Sequence, residues 1–308
     1  GCIEGCLRYL NHQISTGWLY GGTGHAFVLN IANELCPSGP TAWKPLMLFQ
    51  MANHLGFEIK GIFSNKTEAD FPKEQERAWN FVKKSIDNET PCYGWELEIP
   101  EFYVIKGYDD IGYYISGAGC DDGKGPIKWQ DVGLSGIGII EMYSIQRVSE
   151  SEPEAVVKEA LQKVLHHSTN PKEWIFENYS SGIPGFNKWI EAVNDGTANS
   201  MGLAYNSAVW TECRKFALVF LEETRQKLSG ELHSHIDESL HYYQEVFTNL
   251  NRVVELFPFS IGMSSDPIGT SSKSEEAVEY LTNARNSEEK GLESLKQIVE
   301  ALEIREEK

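Results

Sequence analysis

A chain of 308 residues, 41% hydrophobic and 11% aromatic, carries enough apolar side chain for a large core and is long enough for two domains. Its formal net charge of -18 argues against nucleic acid and anionic membranes as partners, because both are met by basic surfaces. No apolar run approaches the ~20 residues of a membrane span, and no signal-peptide pattern opens the chain, so a cytoplasmic protein is expected. The six cysteines (Cys2, Cys6, Cys36, Cys92, Cys120, Cys213) form no Cys-x-x-Cys pair, which predicts free thiols rather than a disulfide scaffold or a structural zinc site. The chain opens on Gly1 rather than methionine, and either a preceding segment or processing is expected.

Apolar residues spaced by three and four predict helices over 7–11, 25–35 and 45–55. A short strand over 57–63 follows, then a helix over 73–86 with Trp79, Val82 and Ile86 on one face. Closely spaced strands are predicted over 92–98, 102–108, 112–116 and 137–148, joined by polar or glycine-rich turns in the manner of an antiparallel meander. From Ser151 onward the chain reads as helix, over 186–193, about 200–228 and about 232–256, with a break at Gly230 and a stop at Pro258. Ser151-x-x-Glu154 and Ser272-x-x-Glu275 both have the capping-box form. Trp210, Phe216, Phe220, Tyr243 and Phe247 are the expected seam of a helical bundle, and the tail 304–308 is expected to fray. The predicted fold class is therefore α+β: a domain over 1–150 with helices first and a sheet after, then an all-α bundle over 151–308.

Chemistry concentrates near the start. Cys2 opens an apolar-periodic segment, where helix N-terminal N–H groups lower a thiol pKa and favour the nucleophilic thiolate. The alternative is a small buried hydrophobe, which is how free cysteine often serves, and Cys6 one turn on reads as core. His25, beside the turn Gly21-Gly22-Thr23-Gly24, is a candidate base approaching from a neighbouring loop, or a structural imidazole. That turn lacks the third glycine of a dinucleotide fingerprint and the Lys-Ser/Thr of a P-loop. His233, His235 and His241 do not share a helical face as i and i+4 would, and no metal, nucleotide or other cofactor is expected. Trp18, Tyr20, Tyr93, Trp95, Tyr103, Tyr108 and Trp129, with Glu96, Glu98 and Glu101, would line an aromatic, anionic cleft suited to an amine-bearing molecule, or else pack in the core.

Cys2 with Leu7-Arg8-x-Leu10, the turn Gly21-Gly22-Thr23-Gly24 with Phe27, and Gly107-Tyr108-Asp109 together resemble the N-terminal domain of the butirosin biosynthesis protein H family. That family looks like a branch of the papain-like cysteine enzymes related to double-glycine leader peptidases. The resemblance covers roughly 1–148, and a helical second domain is compatible with the family's plan. It implies a papain-like fold, a nucleophilic Cys2, and acyl transfer from a carrier thioester to an amine. In this branch the catalytic histidine begins the strand that runs into the Gly-Tyr-Asp turn, and here that position holds Glu101. No histidine lies between His54 and His166, and the next strand offers Ser116, Gly117 and Cys120 where the acidic partner is usual.

A carboxylate with a pKa near 4 is a poor base for a thiol near 8.5, although burial raises it. Two function classes follow. One is a cysteine acyltransferase or amide hydrolase in which Cys2 forms an acyl-thioester, with Glu101 or His25 moving the proton and Trp18, Tyr20, Trp95, Tyr103 and Tyr108 holding the substrate. The other is a catalytically degenerate member that binds a small cation in the cleft. An outside third is an N-terminal-nucleophile hydrolase exposing the amine of Cys2. The expected partners are a small amine or acyl donor, with an acyl carrier protein as a further candidate donor, while nucleic acid and membrane are not expected and a homo-oligomer is left open.

Overall fold

Side chains repeat every two residues along strands and every 3.6 along helices, and these two periods sort the chain. The computed structural model describes residues 1–42 and 44–306. Its first elements are helices α1 (Cys2–Tyr9) and α2 (Thr16–Gly22), strand β1 (Asn30–Ala32), helix α3 (Leu46–Ala52), strand β2 (Phe57–Asn65) and helix α4 (Phe71–Asp87). Strands β3 (Cys92–Trp95), β4 (Phe102–Tyr108), β5 (Gly112–Gly117), β6 (Lys124–Lys128) and β7 (Ile139–Arg147) follow. Then come α5 (Pro153–Thr169), β8 (Tyr179–Ser181), α6 (Gly182–Asn194), α7 (Ser200–Lys227), α8 (His233–Leu256) and α9 (Ser272–Glu306). The chain is α+β, with an antiparallel sheet in its N-terminal part and a helical C-terminal region.

Contacts divide it into two units: residues 1–14 with 56–150, and residues 15–55 with 151 onward. One division falls between 150 and 151, and 15–55 pack with the C-terminal helices instead of the N-terminal sheet. The cause is a glycine face on α2. A Cβ at Gly17 would lie 2.4 Å from Val219 Cγ1, and one at Gly21 2.0 Å from Phe220 Cγ, so α2 lies on α7 at a distance that only glycine permits.

In the first unit the sheet order is β2-β7-β3-β4-β5-β6, all antiparallel. The expected meander is present in β3 to β6, while β7 returns to lie between β2 and β3. One face carries Cys92, Tyr103, Ile105, Tyr113 and Ile115 against Trp79 and Val82 of α4. The other face takes α1: a Cβ at Gly5 would sit 3.5 Å from Val104 Cγ2.

In the second unit Trp210, Phe220 and Tyr243 are fully buried, as their seam positions require, while Phe216 and Phe247 are half-buried. The expected helix over 25–35 is a one-turn 3-10 helix, His25–Phe27, followed by β1, which pairs with β8. Every β1 residue is buried, so apolar spacing there reports burial rather than helix. The capping boxes also differ from expectation. The N-cap of α5 is Glu152, and Ser151 Oγ lies 3.3 Å from His54 Nδ1. At α9 the reciprocal bonds join Ser271 and Ser274, with Ser271 N–H donating to Ser274 Oγ (2.6 Å) and Ser274 N–H to Ser271 Oγ (3.3 Å). Helix α9 continues through the expected frayed tail to Glu306, and 307–308 lie outside the described residues.

Candidate active site

Cys2 is the first residue of α1, half-buried, and α1 is amphipathic with Cys6 and Leu7 turned inward. Glu101 lies at the foot of β4. The β3–β4 turn is closed by Glu96, in the left-handed region at φ 54°, whose N–H donates to Glu101 O at 2.9 Å. This turn and the packing of α1 on the sheet place the Glu101 carboxylate where it acts electrostatically on the Cys2 thiol.

The period of two decides which aromatics share that face. Val104 pairs with Tyr93 and Phe102 with Trp95, so these four side chains stand on the α1 side. Tyr93 packs on Phe102 (5.7 Å between ring centroids) and Tyr143 (5.3 Å), and Trp95 packs on Phe102 (4.9 Å). Tyr103 and Tyr108 belong to the opposite face, which corrects their expected place beside Cys2. The Tyr103 hydroxyl donates to Ala118 O (2.8 Å) and accepts from Ile99 N–H (3.2 Å), while Tyr108 donates to Asp87 Oδ1 (2.7 Å). Trp129 stacks on Trp79 at 6.0 Å, also on the α4 side. Glu96 and Glu98 are engaged away from Cys2: Glu96 accepts from Ser135 Oγ (2.7 Å), and Glu98 pairs with Lys124 (2.5 Å).

Two residues that sequence reasoning missed complete the face. Tyr143 sits opposite Tyr93 in the β3–β7 register, and its hydroxyl donates to Glu141 Oε2 at 2.8 Å. Their signal was the alternation Glu141-x-Tyr143, which cannot be read without the register.

All these groups become anions or stay neutral. Burial pushes the Cys2 thiol up to about 11 against the lowering effect of the Gly1 ammonium, and the Glu101 carboxylate adds to the rise, the direction opposite to that expected of a helix-activated thiolate. Burial also raises Cys6, Tyr93, Tyr143 and Glu141, and holds Cys92 at about 11.

The only histidine of the first unit is His12, buried edge-on to Phe57 at 6.3 Å. It lies past the opposite end of α1, about 12 Å of helix from Cys2. His25 belongs to the second unit, as do Trp18 and Tyr20. Trp18 is buried against Phe220 (5.2 Å) with Lys227 Nζ 5.0 Å from its ring, and Tyr20 packs on Phe216 (4.5 Å) and His25 (5.4 Å). Burial and the nearby Arg214 guanidinium lower His25 to about 4, so it is neutral at pH 7. Among the described residues no three His, Cys, Asp or Glu side chains are grouped to hold a metal ion. In the β5–β6 hairpin a hollow of about 640 Å³ is lined by residues Gly119 to Gly125, beside an Asp122–Lys106 ion pair of 3.5 Å.

No protein-family model matches the chain, and no curated protein matches it either.

Proposed function

We propose that the chain is a papain-like protein without the imidazole-dependent step, which uses the α1 face of its first unit to hold a small, amine-bearing cation. The observation that carries this reading is the protonated Cys2 thiol set among Glu101, Glu141, Tyr93 and Tyr143. A papain-like nucleophile needs a cation beside its sulfur. Here the Gly1 ammonium acts on the thiol but is outweighed by burial, and the Glu101 carboxylate beside it attracts an ammonium group. An incoming amine would stabilise the ionised forms of Glu101 and Glu141 and lie against the Phe102 and Trp95 rings. Support for the papain-like fold comes from the sequence resemblance and from a cysteine that opens a helix laid on an antiparallel sheet.

The test is the pH dependence of Cys2 alkylation by iodoacetamide, followed residue by residue by mass spectrometry with half-buried Cys36 and Cys120 as controls. Slow labelling with a midpoint above about 9 is expected, together with calorimetric binding of spermidine that Glu101→Gln plus Glu141→Gln weakens by about tenfold. A midpoint below about 7 would overturn the reading and restore the acyl-thioester mechanism.

A further inference from the structure

The two edges of the six-stranded sheet are not treated alike. Edge strand β6 is five residues long, contains Pro126, and carries Lys124 and Lys128, all of which discourage pairing with another chain. Edge strand β2 is nine residues long with no proline.

The register fixes which backbone groups β2 leaves free. Lys66 N–H donates to Gly138 O (2.8 Å) and Val148 N–H to Gly56 O (3.0 Å), so the even-numbered residues of β2 bond to β7. On the far side of β7 the odd residues turn to β3, as Ile145 N–H to Pro91 O (3.0 Å) requires. The N–H and C=O groups of Phe57, Ile59, Gly61 and Phe63 therefore point away from the sheet, and Phe57 is fully buried. At Asn65 the edge is closed by its own turn: Asn65 N–H donates to Glu68 Oε1 (3.0 Å) and Glu68 N–H to Asn65 O (2.9 Å). What remains open is a segment centred on Gly61, with Lys60 and Gly61 exposed and Phe63 57% exposed.

We infer that this edge pairs with the same edge of a second copy, antiparallel about a two-fold axis at Gly61. A segment whose open groups are symmetric about one residue is complementary to itself. In that register Ile59 faces Phe63 of the other copy twice, covering both exposed rings. Lys60 faces Ile62 and Glu58 faces Ser64, so no like charges meet. Shifting the pairing by one hydrogen-bonded step sets Lys60 against Lys60 in one direction and Ile59 against the closed Asn65 in the other, which disfavours both. Gly61 adds no side chain of its own at the axis, and the Tyr143 ring of the same chain takes the space where its Cβ would lie. Between two acidic chains this local neutrality favours the β2 edge over the rest of the surface.

The experiment is sedimentation of the full chain over a concentration series, combined with residue-resolved amide exchange. A reversible dimer with a Kd of about 10–100 μM is expected, with the amides of Ile59, Gly61 and Phe63 slowing as dimer forms and those of Lys60 and Ile62 already slow. Phe63→Lys should abolish the dimer and leave the circular dichroism unchanged. Ile59→Pro, whose lost N–H points outward, is the second variant should the first fail to fold. A monomer at about 0.5 mM, a dimer untouched by both variants, or outward amides that slow in a monomer holding another chain would each overturn the inference.

Discussion

Both units bury ionisable side chains, but they neutralise them in opposite ways. In the second unit Arg214 is fully buried and engaged at all three nitrogens: Nε and Nη2 donate to the two oxygens of Glu288 at 2.9 and 2.8 Å, and Nη1 donates to Ala26 O and Val28 O at 2.9 Å each. Charge meets charge, and the pair ties α7 and α9 to the turn that carries His25. On the α1 face of the first unit, Cys2, Cys6, Tyr93, Tyr143 and Glu141 lie near one another, the Gly1 ammonium lowers the two thiols, and burial outweighs it and holds the protons on. The first arrangement specifies a fold. The second leaves an electrostatic demand that a cation would satisfy.

The largest effect comes from breaking the satisfied pair. Glu288→Gln leaves a buried guanidinium uncompensated and should cost about 3–5 kcal/mol, whereas Arg214→Met combined with Glu288→Leu should recover much of the loss. Glu141→Gln, which replaces a carboxyl already pushed toward its neutral form, should change stability by less than about 1 kcal/mol. Guanidinium unfolding of the four proteins measures the contrast. Equal losses for Glu288→Gln and Glu141→Gln would erase it.

The same difference predicts that the two units fail at opposite ends of the pH scale. His25 and His167 are lowered from 6.5 to about 4, His25 by burial and then Arg214, His167 by burial and then His166. Below pH 6.5 the unfolded chain binds protons that the folded chain refuses, so stability of the second unit falls from about pH 6.5 to about 4 and then levels off. The loss should be about 3 kcal/mol for each of the two histidines. In the first unit Cys2 and Cys92 are raised from 9.0 to about 11 and Cys6, Tyr93, Tyr113 and Tyr143 are raised as well, against Cys213 and Tyr243 in the second, so the unfolded chain loses protons first and stability falls as pH rises above 9, more steeply in the first unit. Peptide-resolved hydrogen exchange, corrected for intrinsic rate, should open unit-two peptides first in acid and unit-one peptides first in alkali. Simultaneous opening at both ends would sink the distinction.

Much of this architecture was legible residue by residue, and the misses have physical causes. Helix α4 and strand β4 were readable because one face of each is buried, which imprints a clean period on the sequence. Strands β1 and β8 were not, because each is three residues long and its partner lies far along the chain. Moving 15–55 into the second unit depended on glycines at 17 and 21, whose role as a packing face appears only when α7 lies against them. Within the candidate site, Cys2 was legible as a cysteine opening an apolar-periodic segment and Glu101 from the family resemblance, and the structure sets them in one electrostatic neighbourhood. Tyr103 and Tyr108 were assigned to the wrong side although alternation from Tyr93 through its partner Val104 excludes Tyr103. Glu141 and Tyr143 were hidden because β7 enters the sheet out of chain order, so nothing local in the sequence pairs them with Tyr93.

The smallest expected effect is the most diagnostic for the candidate site. Burial is the main reason the Cys2 thiol stays protonated, and the Glu101 carboxylate adds to it. Glu101→Gln should therefore lower the midpoint of Cys2 alkylation by less than about 1 pH unit, and at a fixed pH near 8 labelling should quicken by about two- to threefold. The sign carries the meaning. A general base removed from a Cys–Glu proton shuttle would slow any reaction that passes through the thiolate, and a carboxylate that merely repels the thiolate would speed it. Slower alkylation in Glu101→Gln would show that Glu101 accepts the thiol proton, and would move this face from holding a cation toward performing acyl chemistry with a carboxylate in the place of an imidazole.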